Sequence, residues 1–186
     1  MACPVLVRPI STQGGHGMAL LDTPDKLAGM TVDDADAFYF IGFNDYRSAD
    51  GYYRKYRMIF VDREVYPYHL AISKKWLVHY YSADMLEAPW KRDEEERFLT
   101  DPRAALGAKA MDAITAIARR MDMDYAGIDF SLLADGRVIV FEANATMLVH
   151  LHDPIDQFPY KYVHVPAIIA AFEAMVARRE KAAEAA

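Results

Sequence analysis

The sequence predicts an α+β fold with a mainly antiparallel sheet and packed helices. Three observations carry this. Two pairs of apolar, β-branched and aromatic runs are each joined by two turn residues, Asp62-Arg63 and Asp135-Gly136. A charged, then periodic block from Asp93 to Met121 separates the pairs and reads as helix. No internal repeat or low-complexity linker divides the chain.

The elements follow in order. Val5 to Arg8 is a short apolar strand stopped by Pro9, and Ser11-Thr12-Gln13-Gly14-Gly15-His16-Gly17 is a loop before a strand at Met18 to Leu21. Asp22 or Thr23 can cap a short helix beginning at Pro24, because proline fits the first helical position. Phe38 to Ile41 reads as a buried strand and Gly42 to Gly51 as a loop. Tyr53 to Val61 and Glu64 to Ile72 form a strand pair, Lys74-Lys75 marks a turn, and Trp76 to Tyr81 is expected as a third strand. Asp93 to Leu99 is helical, and Asp101-Pro102 supplies the cap and first residue of a longer helix. The recurrence of Leu106, Met111, Ile114, Ala118 and Met121 carries that helix to about Met121. After the second hairpin, His150 to Val165 is irregular. A last helix from Pro166 to about Lys181 should bury Ile168, Ile169, Phe172 and Met175, with a fraying Ala/Glu tail.

Composition narrows the function. The 186 residues, 53% hydrophobic and 26% charged, suffice for one substantial core or two small lobes. The single cysteine, Cys3, rules out an internal disulfide framework or a cysteine zinc site and fits a reducing compartment. No apolar run approaches the ~20 residues that span a bilayer, and no signal-peptide pattern opens the chain. A soluble cytoplasmic protein without a membrane partner is expected. The net charge of −6 argues against nucleic acid as a partner. Twelve tyrosines and ten methionines suggest adaptable packing and stacking surfaces.

The strongest chemical signal is Ala126 to Thr146, AGIDFSLLADGRVIVFEANAT. An Asp-Gly pair between apolar runs predicts a two-residue hairpin turn. Ala134 then faces Arg137, and counting back puts Asp129 directly across from Glu142, with Asn144 on the same face. Opposed like charges are destabilising, and flanking Ile128, Phe130, Val140 and Phe141 should exclude water, so something cationic is expected between them. Two carboxylates and an amide oxygen form an all-oxygen set suited to Mg²⁺, which completes its shell with water and phosphate oxygens. The competing reading is an exposed hairpin with unrelated polar positions.

Other motifs are less specific alone. Glycines in the Gly14-Gly15-His16-Gly17 loop let backbone N–H groups approach an anion, though a plain hairpin turn fits as well. In Arg54-Lys55-Tyr56-Arg57, strand alternation sends Lys55 and Arg57 to one face, where they can act together on an anion, and Arg54 to the other. A charge-protected edge strand is the alternative. His69 and His79 sit in apolar contexts and are expected as hydrogen-bonded core histidines. His16 could touch a phosphate or simply be a surface residue, and His150 and His152 lack a third zinc ligand.

Together these residues resemble the ATP-grasp fold of carboxylate–amine ligases. The likeness lies in a glycine loop after a strand, a hinge strand Phe38 to Ile41, a strand with Tyr56-Arg57, and a hairpin carrying Asp129 and Glu142-Ala143-Asn144. Phe141-Glu142-Ala143-Asn144-Ala145-Thr146 is similar to the E-A/V-N-x-S/T segment of members like D-alanine–D-alanine ligase, glutathione synthase and RimK. The resemblance covers about residues 5 to 150. It implies a single ATP-grasp-like domain, with residues 1–50 a partial nucleotide-binding lobe and 51–186 a C-terminal lobe carrying the metal hairpin. It also implies that the domain preceding such folds is absent from this chain. Asp129, Glu142 and Asn144 are then Mg²⁺ (or Mn²⁺) ligands holding the ATP β- and γ-phosphates. Gly14, Gly15 and Gly17 close over the phosphates, with Arg8 in place of the usual lysine. Tyr39 and Ile41 offer hinge backbone to adenine, Asp45 meets the ribose, and Lys55 and Arg57 serve the phosphoryl-transfer region.

The implied reaction is activation of a small-molecule carboxylate as an acyl phosphate, then capture by an amine or thiol. The alternative is a non-catalytic or regulatory nucleotide-binding module, possibly within a larger protein, and a homodimer is expected to cover exposed surface. Departures concern the acceptor. Gly127 stands two before Asp129, where peptide ligases of this type tend to have arginine. Ala145-Thr146-Met147-Leu148 replaces the usual Ser/Thr-Ser-Pro-Gly stretch.

Overall fold

A computed structural model describes residues 3–12, 14–30 and 37–185, so Gln13 of the glycine loop lies outside the described residues. The chain divides into two compact units, Met1–Asp45 and Tyr46–Ala186.

The first unit is built on a three-stranded antiparallel sheet. Strand β1 (Val5–Pro9) lies between β2 (Ala19–Leu21) and β3 (Phe38–Gly42), with Arg8 opposite Tyr39 and Val7 opposite Phe40. Helix α1 (Pro24–Ala28) starts as the sequence predicts: the Thr23 hydroxyl accepts a hydrogen bond from the Lys26 amide at 3.3 Å, and Pro24 opens the first turn. The buried strand expected at Phe38 to Ile41 is a strand, but it is not buried. Tyr39, Phe40 and Ile41 are all exposed, because β3 is an edge strand and the apolar run marks an extended segment without specifying its cover.

The second unit contains a four-stranded antiparallel sheet in the order β5-β4-β6-β7, formed by β4 (Tyr53–Val61), β5 (Glu64–Ser73), β6 (Tyr125–Leu132) and β7 (Val138–Asn144). Asp62 and Arg63 both have positive φ, 50° and 70°, as a tight two-residue hairpin turn requires. One sheet face packs on helix α2 (Pro89–Thr100), where Tyr56 meets Phe98 edge-on at 5.0 Å and stacks on Phe130 at 5.3 Å. The other face packs in part on helix α5 (Lys161–Glu184): Ile59, Val61, Tyr68, Met147, Val165, Ile168 and Met175 form one buried cluster. The outer edge of β5 is capped by side chains, since the Leu70 amide donates to Glu95 Oε1 at 3.1 Å and the Ile72 amide to Met85 Sδ at 3.4 Å. That satisfies edge donors that would otherwise invite another strand.

Four further expectations change. Trp76 to Tyr81 is not a strand; it is irregular and ends in a 3₁₀ turn at Tyr80–Ser82. The helix after Asp101 is capped as expected, by Asp101 Oδ1 accepting from the Ala104 amide at 2.9 Å, but it is two helices. Helix α3 (Pro102–Leu106) stops at Gly107, whose φ of 84° and ψ of 156° suit only glycine, and α4 (Ala108–Met121) starts afresh. The last helix begins at Lys161, five residues before Pro166, which lies inside it. The buried Lys161 side chain anchors that start through Asp153, Glu95 and Tyr80. Finally, α5 buries Val165, Ile168 and Met175 while Ile169 and Phe172 remain exposed.

Candidate functional site

The hairpin β6–β7 places Asp129 directly opposite Glu142, by a different route from a simple count. Its turn is a three-residue loop: Leu133 and Arg137 face each other, the Leu133 amide donates to the Arg137 carbonyl at 2.9 Å, and Gly136 takes φ of 76°. Near the turn the ladder is therefore shifted by one, with Phe130 opposite Val140. A bulge between Asp129 and Phe130 absorbs Phe141 and restores the Asp129–Glu142 and Gly127–Asn144 pairs.

The environment of the pair is asymmetric. Asp129 is only 3% exposed, between fully buried Ile128 and Phe130. Glu142 is exposed, and so are Val140 and Phe141, which were expected to exclude water. The cause is that β7 is the edge of the sheet. The Asn144 side-chain amide donates to Glu142 Oε1 at 3.2 Å, and Asn144 Oδ1 accepts from both the Thr146 amide and hydroxyl at 2.8 Å.

The cation that the buried carboxylate calls for comes from β4. Lys55 Nζ donates to Asp129 Oδ2 at 3.0 Å, Arg57 Nε to Oδ1 at 2.6 Å and Arg57 Nη2 to Oδ2 at 3.0 Å. Arg54 points to the opposite face and bridges Glu94 at 2.5 Å and Asp50 at 2.8 Å. Burial by itself would raise the Asp129 carboxyl, but the Arg57 and Lys55 bonds outweigh it and hold the group below its ordinary value. Asp129 thus stays ionised on the sheet. The position two before it, Gly127, has no room for a side chain: a Cβ there would lie 2.7 Å from Met147 Cγ and 2.9 Å from the Met58 carbonyl oxygen.

The remaining predicted residues belong to the first unit. Gly14, Gly15 and Gly17 all have positive φ, 61°, 73° and 70°, so the loop is built on a backbone shape that glycine alone adopts easily. Arg8 folds back to donate to the Thr12 carbonyl, and its Nε is buried without a hydrogen-bond partner among the described residues. Tyr39 and Ile41 lie on the edge strand β3, and Asp45 is exposed at the end of the unit.

The structure adds residues that the sequence did not single out. A cavity of about 180 Å³ opens on the Lys55/Arg57 face, lined also by Tyr68, His69, His79, Tyr80, Tyr81, His150 and Asp153. His69 lies opposite Arg57 because a bulge at Tyr68 shifts the β4–β5 register; an unbulged count from the Asp62-Arg63 turn would have put Tyr68 there. His69 is 7% exposed and stacks on Tyr80 at 4.6 Å, but its Nε2 has no hydrogen-bond partner among the described residues, unlike the satisfied core histidine expected. His79 is half-buried and lies in an irregular segment. A larger hollow, about 770 Å³, lies on the other sheet face beside Tyr56, Leu70 and the acidic side of α2, away from Asp129. Among the described residues no three His, Cys, Asp or Glu side chains group to hold a metal. Nor is any of their helices long and apolar enough to cross a membrane.

No protein-family model matches the chain, and no curated protein sequence matches it. Among solved structures, L-amino acid ligase from Bacillus licheniformis is similar over 78% of this chain and 32% of its own, with 14% identity and a TM-score of 0.40. N5-carboxyaminoimidazole ribonucleotide synthetase from Thermotoga maritima is similar over 89% of this chain and 39% of its own, at 13% identity and a TM-score of 0.41. The ATP-grasp ligase PsnB, complexed with a minimal precursor, Mg and ADP, is similar over 91% of this chain and 46% of its own, at 14% identity and a TM-score of 0.43. The chain thus spans from about a third to under half of the length of these proteins. A likeness at this level identifies no activity.

Proposed function

We propose that this chain is a MgATP-binding module of the ATP-grasp type, belonging to a carboxylate–amine or carboxylate–thiol ligase. One observation carries the reading. A buried, ionised Asp129 lies opposite Glu142 on a stiff antiparallel sheet, with Lys55 and Arg57 bonded to it on the same face. This combination of oxygen ligands and adjacent cations suits a metal-bound polyphosphate.

The residues fit the metal by donor chemistry. Asp129, Glu142 and Asn144 offer only oxygens to a metal, the set Mg²⁺ or Mn²⁺ prefers, and Asn144 Oδ1 would exchange its bond from the Thr146 hydroxyl for the ion. Asp129 accepts three hydrogen bonds from Lys55 and Arg57. Carboxylates have about four lone-pair sites, so capacity remains. The ion would supply charge neutralisation between the β- and γ-phosphates. Lys55 and Arg57 then face the transferring phosphoryl group, and Asp129 fixes their direction. In the first unit, Gly14, Gly15 and Gly17 with Arg8 are assigned to the phosphates, the edge backbone at Tyr39 and Ile41 to adenine, and Asp45 to the ribose.

In the reaction proposed, a substrate carboxylate oxygen bonds to the γ-phosphorus as the bond to ADP breaks. An amine or thiol then bonds to the acyl carbon, phosphate leaves with the C–O bond electrons, and the nucleophile loses its proton. Positioning and charge neutralisation account for the catalysis. The single cysteine agrees with a cytoplasmic setting, and exposed Tyr39, Phe40 and Ile41 agree with a homodimer or a larger polypeptide.

Calorimetric titration of ATP with and without Mg²⁺, on wild type and on Glu142→Gln, tests this reading. Mg²⁺-dependent binding that weakens about tenfold or more in the variant is expected from the loss of one charged ligand. Binding that ignores Mg²⁺ or Glu142 contradicts it. ADP release stimulated by amino acids favours the ligase, whereas binding without turnover favours a regulatory nucleotide-binding module.

A further inference from the structure

We propose that the cavity bounded by Lys55, Arg57, His69 and His79 binds the carboxylate of a small organic acid, with His69 Nε2 as a direct hydrogen-bond donor to it. The lining residues divide into spent and unspent groups. Asp153, the one carboxylate in the wall, pairs with Lys161 at 2.8 Å. The Tyr68 hydroxyl is hydrogen-bonded to the His150 backbone at 3.1 Å, the Tyr80 hydroxyl accepts from Lys161, and the Tyr81 hydroxyl meets His150 Nε2 at 3.2 Å.

The unspent groups are donors. Lys55 uses one of its three N–H bonds on Asp129, and Arg57 uses Nε and Nη2 there, leaving Nη1. Among the described residues His69 Nε2 and His150 Nδ1 are buried without a partner, and no hydrogen bond engages the His79 ring. Burial, then the cationic Arg57, Lys161 and Lys55, hold His69 well below its ordinary pKa, so the ring is neutral and can present Nε2–H. Lys55 and Arg57 both bond the carboxylate of Asp129, with Glu142 adding to the field at Arg57, so the two cations are held on this wall with N–H groups to spare.

Size and shape agree. The roughly 180 Å³ corresponds to about six water volumes at ~30 Å³ each, enough for a short acid but not for a nucleotide. The stacked His69 and Tyr80 rings, 4.6 Å apart and 19° from parallel, offer a flat wall to its carbon body. Activation of this acid rests on the function proposed above; its binding does not.

Titrating acetate, benzoate, inorganic phosphate and methylammonium into the whole chain without nucleotide, followed by calorimetry and by His-ring nitrogen NMR, tests the site. Acetate or benzoate should bind and shift the His69 ring resonance, and His69→Gln and His79→Gln should each weaken binding about fivefold, roughly one hydrogen bond. If His69→Gln does not fold, the wild-type ring shift and His79→Gln decide. Acid binding without any MgATP binding leaves this site standing and removes the ATP reading. MgATP binding with no acid binding, in the free or nucleotide-saturated protein, overturns the site alone. Tighter binding of phosphate than of either acid, or wild-type acid affinity retained in His69→Gln and His79→Gln, also overturns it.

Discussion

Arg57 and Asp129, 72 residues apart in sequence, meet side by side on β4 and β6 in a two-point bridge of 2.6 and 3.0 Å. The bridge decides what the hairpin can do. It holds a buried carboxylate ionised, and it aims a guanidinium and the Lys55 ammonium across the same face.

Removing one partner of such a pair costs more than the pair gains. Arg57→Met leaves Asp129 buried with Lys55 alone, and breaking buried ion pairs costs about 3–5 kcal/mol. Because Arg57 is partly exposed, the lower part of that range is expected in urea unfolding. Arg57→Met/Asp129→Leu should recover a large share. A double variant less stable than Arg57→Met would contradict the bridge.

The pH dependence has a definite sign. The folded Asp129 pKa is lowered, so the stability it contributes is fully present above its unfolded value of ~3.9 and is lost as pH falls through the lowered folded value. The stability gap between wild type and Asp129→Asn should be flat from pH 7 to about 5. It should shrink toward pH 2. Unfolding curves at each pH measure it, and a gap that widens on acidification would reverse the assignment.

Gly127 and Gly107 should fail for different reasons. Gly127→Ala places a methyl against Met147 Cγ at 2.7 Å and the Met58 carbonyl at 2.9 Å, and the backbone oxygen cannot rotate away. Overpacking of this kind costs about 1–3 kcal/mol. Met147 belongs to the buried cluster, so Met147→Ala itself costs about 2–5 kcal/mol, and Gly127→Ala/Met147→Ala should lose less than the sum of the two single losses. Gly107→Ala meets open space, but its φ of 84° is strained for alanine, and about 1–3 kcal/mol is expected from backbone alone. Trimming neighbours should not relieve that loss.

Lys161 is a structural test of the corrected helix start. Its ammonium, 3.3 Å from fully buried Glu95 and 2.8 Å from Asp153, anchors α5 five residues ahead of Pro166. Lys161→Met strands Glu95 in the core and should cost about 3 kcal/mol or more in thermal or urea unfolding. An unchanged stability would remove the anchor.

Local signals in the sequence were enough for the hairpins, the Thr23 and Asp101 caps and the shared face of Lys55 and Arg57, because each depends on neighbours a few residues apart. The Asp129–Glu142 pairing came out as counted only because a three-residue turn and a bulge at Phe141 cancel. Nothing local announces either one. The same is true of His69, brought opposite Arg57 by a bulge at Tyr68. Burial was least legible: Tyr39, Phe40 and Ile41 of β3 and the Ile169/Phe172 stripe are apolar yet exposed, since cover is set by what packs from elsewhere. The helix start at Lys161 depends on Glu95 and Asp153, distant partners that a proline count cannot see.

Paramagnetic broadening by Mn²⁺ in the presence of ATP tests the metal platform most directly. The account predicts that amide resonances around Asp129 and from Glu142 to Thr146 broaden together, that excess Mg²⁺ reverses the effect, and that Asp129→Asn with Glu142→Gln abolishes it. Broadening that falls elsewhere in the chain, or that persists in the double variant, would contradict the assignment of Asp129, Glu142 and Asn144 as the metal ligands.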